Sequence, residues 1–383
     1  MRETWRWFGE FDPIPLDQVA QTGAEGIVSA LHAIPYGEVW TRDAISKRSD
    51  EILAAGFTWD VVESLPVHED IKRGTGDLPG LFENYRQSLA NLAAEGITTV
   101  CYNFMPILDW TRTDLMAPVA RGGTCLHFSA AKMAAFEIHM LGREGAEETY
   151  HPDAVRHGRA WHDAASQEDK AALLHAIMSG LPGAYDRYDI SSLRDVLTTY
   201  DGLTHDDLRA NLGRFLAEVI PAASELGIGM CIHPDDPPRD ILGLPRIVST
   251  QSDIDWIMNA HPEPANGLTL CSGSLGSHAD NDVPRIARAF ADRIHFVHLR
   301  NVAKSHDGSF SEAAHLTGDV DMVAVVEEIL KAERLRNAEI PFRADHGHAL
   351  LSDAETETQP GYTLIGRMRG LAELRGVVTA LNR

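Results

Sequence analysis

The sequence predicts an α/β chain and, within that class, a closed (β/α)8 or TIM barrel. Three observations carry the expectation. Short β-rich runs alternate with amphipathic helical stretches along the chain, eight such runs can be counted, and 383 residues suit one large barrel with insertions. A doubly wound open sheet is the alternative architecture.

Taken in order, the expected strands are TWRWFG (4–9), GIVSAL (26–31), WDVVES (59–64), TTVCYNF (98–104), GMCIHP (229–234), LTLCSG (268–273), IHFVHLR (294–300) and PFRADHG (341–347). Their apolar, β-branched and aromatic content is the strand signal. Helical patterns fall between them, as in TRDAISKRSDEILAAG (41–56), VPRIARAFADR (283–293) and DMVAVVEEILKAERL (321–335), and LIGRMRGLAELRGVVTAL (364–381) closes the chain. The stretch from about 105 to 225, between the fourth and fifth strands, is too long for a plain crossover. It reads as a mostly helical insertion, with SAAKMAAFEIHML (129–141), KAALLHAIMSGL (170–181) and HDDLRANLGRFLAEVI (205–220), suited to covering a site or contacting another subunit. RIVST (246–250) is a further candidate strand. Residues 1–383 are expected to form a single catalytic domain, and the insertion favours a homo-oligomer.

Composition narrows the function. Hydrophobic residues make up 44% and charged residues 23%, near globular averages, and no apolar run approaches membrane-spanning length. MRETWRWFGEFDPIPL places charges and tryptophans where a signal peptide needs an apolar core, so a cytoplasmic location is expected. With 34 basic and 56 acidic residues the net charge is −22, which argues against nucleic acid or an anionic membrane as partner. An anionic small substrate then requires a metal or local arginines to reverse the field. Four cysteines without CxxC spacing argue against a disulfide scaffold, a zinc ribbon or an iron–sulfur cluster. There is no GxGxxG, GxxxxGK[ST] or GxSxG motif, so nucleotide binding and a hydrolase triad are unsupported.

In a barrel of this kind the chemistry collects where strands end. The fifth strand ends at His233, the sixth at Cys271, the seventh carries His298 near its end, and the eighth ends at Asp345. Two imidazoles, a thiolate and a carboxylate from four successive strands form a plausible divalent-metal shell. Singly, each has an ordinary structural explanation; the convergence of four is the signal. His346 and His348 follow in DHGH, whose glycine allows a sharp turn that aims an imidazole into the mouth. Arg300, Asn301 and Arg343 are the substrate-binding candidates, because an arginine fork suits a carboxylate and strand parity puts Arg343 with Asp345 and Arg300 with His298.

The chain resembles the mannonate dehydratase family from end to end, through TWRWFGEFDPIPL, GIVSALHAIPYGEVW, WDVVESLPVHEDIKRG, TVCYNFMPILDWTRTDL, CIHPDDPP, GLPRIVST, TLCSGSLGS, HFVHLRN, FRADHGH and GYTLIGRMRGLAELRG. The resemblance implies a xylose-isomerase-like barrel and a hydro-lyase that uses Mn(II) or Fe(II) to turn D-mannonate into 2-keto-3-deoxy-D-gluconate in hexuronate (glucuronate) catabolism. It also implies metal ligation by His233, Cys271, His298 and Asp345, and catalytic roles for His346 and Tyr362, with base and acid unassigned. A metal-dependent sugar isomerase or epimerase on the same barrel, and a non-catalytic sugar-acid binding protein, are the alternatives.

Overall fold

The computed structural model describes residues 1–180 and 188–383. Among the described residues twelve strands run in chain order: β1 (Arg2–Arg6), β2 (Gly26–Ser29), β3 (Thr58–Glu63), β4 (Thr99–Tyr102), β5 (Asp114–Pro118), β6 (Thr124–Phe128), β7 (Gly229–Ile232), β8 (Asn266–Cys271), β9 (Ile294–Leu299), β10 (Asn301–Lys304), β11 (Phe310–Ala313) and β12 (Pro341–Ala344). Eight of them close a parallel barrel in the order β1, β12, β9, β8, β7, β4, β3, β2. These are the eight runs expected from the sequence.

Alternation along the strands separates two apolar layers. Val28, Val61, Cys101, Cys231 and Phe296 form a small cluster of their own inside the barrel, while Ile27, Val62, Val100, Ile232 and Val297 join the large core beneath the surrounding helices. Side-chain caps open several of the helices. Thr250 accepts from Asp253 N while Asp253 bonds back to Thr250 N, opening helix Gln251–Ala260, and Thr204 with Asp207 does the same for His205–Glu225.

The segment from about 105 to 225 is not purely helical. Helices Ala130–Ala135, Pro152–Ala164, Gln167–Ile177, Ile190–Thr198 and His205–Glu225 are joined by β5 and β6, which combine with β10 and β11 in a four-stranded antiparallel sheet of order β10, β11, β6, β5. The run 129–141 begins as the helix Ala130–Ala135 and continues as a π-helix, Phe136–Leu141; residue 181, expected to end the next helix, lies outside the described residues. β6 and its partner β11 lie far apart in the chain, so local periodicity carries no trace of their pairing. Because β10 starts directly after β9, this sheet sits at the C-terminal mouth of the barrel.

RIVST (246–250) is a pinned loop, not a strand. Asp235 Oδ2 accepts Val248 N at 2.7 Å and Ser249 Oγ at 3.0 Å, and Asp235 N returns a bond to Val248 O.

Candidate metal centre and active site

His233, Cys271 and His298 arrive together at the barrel mouth, with one ligand atom from each lying within 4.8 Å of the others. His233 Nδ1 is 2.6 Å from Pro234 O, a carbonyl that can only accept, so Nδ1 carries the proton and Nε2 the lone pair. His298 Nε2 lies 3.3 Å from Glu63 Oε1, at ion-pair distance but without hydrogen-bond geometry. A proton on Nε2, toward that carboxylate, leaves the lone pair on Nδ1. The two bare nitrogens, His233 Nε2 and His298 Nδ1, are then 3.1 Å apart. Two lone pairs so placed repel unless a cation sits between them, and metal–nitrogen bonds of about 2.1 Å give ligand separations of roughly this size. The donor set therefore fits a divalent ion. Asp345 is outside the mutually close trio, with Oδ2 3.9 Å from Cys271 Sγ.

The run CSGS explains why a thiol ends β8. Cys271 Sγ accepts from Ser274 N at 3.4 Å and from Ser274 Oγ at 3.2 Å, the pattern of an N-cap. Ser272 Oγ donates to Arg300 O at 2.7 Å and accepts Arg300 N at 2.9 Å, tying β8 to the end of β9. A Cβ at Gly273 would collide with the Arg300 guanidinium. Ser274 Oγ completes the unit by accepting from Arg300 Nη2 at 3.0 Å.

Above this floor is a small cleft whose lining includes His233, Arg300, Arg343, Asp345, His346 and Tyr362. Both arginines are engaged by protein carboxylates. Arg343 gives Nε and Nη2 to Glu63 at 3.1 and 2.9 Å, and Nη1 to Asp345. Arg300 gives Nη2 to Asp236 at 2.7 Å and Nη1 to Glu312 at 3.3 Å. Arg112, fully buried, adds a bidentate grip on Asp236 at 2.7 and 3.0 Å and a bond to Glu312 at 2.9 Å. Burial works to raise the carboxyls of Glu63, Asp345, Asp236 and Glu312, but the guanidinium charges outweigh it. Glu63 and Asp345 are held well below the usual range, and Glu312 is brought down to about 2.

His346 and Tyr362 stand edge-to-face with ring centroids 5.0 Å apart, and Phe8 backs Tyr362 at 4.8 Å. Burial pushes the Tyr362 phenol up, against the opposing pull of Arg343. Gly347 has a different reason from the sharp turn expected: a Cβ there would press on the backbone of Gly366 and Arg367. His348 bonds the Glu312 carbonyl at 3.1 Å, and it is not part of the cleft lining.

Asn301, a substrate-binding candidate from its strand position, is bonded to the protein itself. It is fully buried, its Nδ2 donates to His315 O and Val320 O, and its Oδ1 accepts from Val302 N and Val320 N. These four bonds tie it to Val302 and to the 315–320 loop, and it is not among the residues that line the cleft. Conversely Glu63 at the end of β3 went unnoticed, although the same strand-end rule applied to the third strand would have found it. Glu312, on the small sheet, had no such signal.

The D-mannonate dehydratase (UxuA) family pattern matches residues 1–383. The chain belongs to the D-mannonate dehydratase family. Its hydro-lyase class and mannonate dehydratase function stand with that membership. It is 51% identical to the mannonate dehydratase of Chromohalobacter salexigens over 388 residues, covering 100% of this chain and 99% of the relative. The mannonate dehydratase of Marinomonas sp. is 49% identical over 387 residues, with the same coverage. Among solved structures, mannonate dehydratase from Streptococcus suis serotype 2 superposes with a TM-score of 0.79 at 33% identity, covering 100% of this chain and 93% of that one. D-psicose 3-epimerase from Clostridium cellulolyticum H10, at 9% identity and a TM-score of 0.53 over 99% of both chains, shares the fold alone with this family member.

Proposed function

We propose that the chain dehydrates D-mannonate to 2-keto-3-deoxy-D-gluconate at the barrel mouth, with Mn(II) or Fe(II) held by His233, Cys271, His298 and Asp345. The observation that carries this reading is the facing pair of imidazole lone pairs beside a thiol, under a cleft that also holds His346 and Tyr362. Nitrogen, oxygen and one sulfur donor suit either metal. The bound ion supplies Lewis acidity, which steadies the charge that develops on the substrate carboxylate as the C2 proton leaves.

The protein's own groups then have distinct work. His346 Nε2 accepts the C2 proton, the C2–H electron pair becomes the C2=C3 bond, and the C3 hydroxyl departs as water with a proton from the Tyr362 phenol. The enol loses its C2 hydroxyl proton and gains one at C3, giving the 2-keto acid. Tyr362 is assigned the donor role because burial keeps its phenol protonated. Arg300 and Arg343 line the cleft as the substrate-binding candidates, but Glu63, Asp345, Asp236 and Glu312 balance their charge, so the surplus positive charge that an anionic substrate needs in a chain of net charge −22 would come from the metal. We further assign residues 1–383 to one catalytic domain with an insertion at about 105–225 between the fourth and fifth barrel strands, acting as a cytoplasmic homo-oligomer in hexuronate catabolism. Among the described residues no helix is long and apolar enough to cross a membrane.

The test is anaerobic turnover of D-mannonate by chelator-stripped protein before and after adding Mn(II) or Fe(II), with Cys271→Ser as control. Metal-dependent 2-keto-3-deoxy-D-gluconate that collapses in the control supports the proposal. Isomerised or epimerised sugar acid without loss of water, or product made without metal, overturns it.

A further inference from the structure

We infer that Glu312 is a positioning residue for His346, fixing which imidazole nitrogen carries the proton. The inference rests on the reading of His346 as a proton-transfer residue. Glu312 Oε1 lies 3.0 Å from His346 Nδ1 and also accepts from Arg112 Nη2 at 2.9 Å and Arg300 Nη1 at 3.3 Å. Two guanidinium groups on one oxygen keep that carboxylate ionised. Arg300 Nη1 is itself 3.1 Å from Nδ1, so an alternative tautomer has Nδ1 accepting from the arginine. That alternative sets a nitrogen lone pair against an ionised oxygen at 3.0 Å, which is repulsive. The proton therefore belongs on Nδ1, between the ring and Glu312. Nε2 is left with its lone pair, 4.0 Å from Asp345 Oδ1 and beyond hydrogen-bond reach of it. The ring is held edge-to-face against Trp110 at 5.7 Å and Tyr362 at 5.0 Å, so fixing the tautomer also fixes the direction of the basic atom. The small antiparallel sheet at the barrel mouth thereby delivers a group on which the chemistry depends.

The experiment compares Glu312→Gln, His346→Gln and the double variant in the metal-loaded enzyme, with D-mannonate as substrate and thermal melts as a fold control. Glu312→Gln is expected to lower kcat by about 10- to 100-fold with little change in KM, the scale seen when an orienting partner is removed. The double variant is expected to be no slower than His346→Gln alone. Glu312→Asp, which keeps a negative charge near both arginines but draws the shared oxygen back from Nδ1 and from the guanidinium groups alike, is expected to fold, as its melt checks, and still lose kcat, and it replaces Glu312→Gln should that variant fail to fold. A wild-type kcat in the folded Glu312 variants, or a double variant that falls further than His346→Gln, overturns the inference while leaving His346 in its role. A wild-type kcat in His346→Gln overturns the reading of His346 itself, and the inference with it.

Discussion

Glu63, the last residue of β3, grips Arg343 on β12 with two hydrogen bonds, Nε to Oε2 at 3.1 Å and Nη2 to Oε1 at 2.9 Å. The pair is buried, and Glu63 also faces His298 Nε2 at 3.3 Å, so one carboxylate braces an arginine of the cleft and orients a candidate ligand. Glu63→Gln leaves Arg343 with Asp345 alone. A loss of about 3 kcal/mol in urea unfolding is expected, since breaking a buried pair leaves a charge poorly compensated. Unchanged stability would contradict this account of the pair.

Ser274→Ala removes the hydroxyl that donates to Cys271 Sγ while leaving the backbone donor in place. Titration of the apo-protein with Mn(II) should show affinity reduced about tenfold, with unfolding changed by only about 1 kcal/mol. A larger loss of stability than of affinity would make the serine a packing residue.

Tyr362→Phe keeps the ring against Phe8 and His346 and deletes only the hydroxyl. Steady-state kinetics should give kcat lowered by about 10²- to 10⁴-fold, the range for a proton-transfer group, with KM nearly constant. Retained kcat would remove Tyr362 from the chemistry.

Asn301→Ala tests whether Asn301 serves the fold or the substrate. Loss of its four internal hydrogen bonds should cost about 2–3 kcal/mol, because buried carbonyls and amides lose their partner. The folded fraction should keep the wild-type KM; a raised KM would return Asn301 to the substrate.

His315 provides a pH test on a residue outside the proposed ligand set. Burial lowers its pKa to about 4, outweighing the opposing pull of Glu373. The unfolded chain takes up the proton near ~6.5, so the folded state binds fewer protons between these values. Stability from this group is complete above pH ~6.5 and is lost as pH falls toward 4, by about 3 kcal/mol. Urea unfolding of wild type and His315→Gln at pH 7 and pH 4 should therefore show the difference shifting toward the variant by that order. A pH-independent difference would mean that His315 is not held neutral.

The sequence by itself determined the barrel and most of its mouth. A strand's apolar pattern and the parity of its last residues are local properties, so all eight barrel strands, the trio His233, Cys271 and His298, and the shared face of Arg343 and Asp345 could be read one segment at a time. Tyr362 was legible only through family resemblance, because it follows a loop whose path no periodicity describes. Only the tertiary structure decided how the charges pair. Glu63 meets Arg343 across 280 positions, Arg112 meets Glu312 across 200, and β6 meets β11 in a sheet with no local signature. Such contacts depend on how the closed barrel and its added sheet bring distant segments together. That is why Asn301 is bonded to the 315–320 loop, why both arginines are engaged by carboxylates, and why the carboxylate beside His346 comes from outside the barrel.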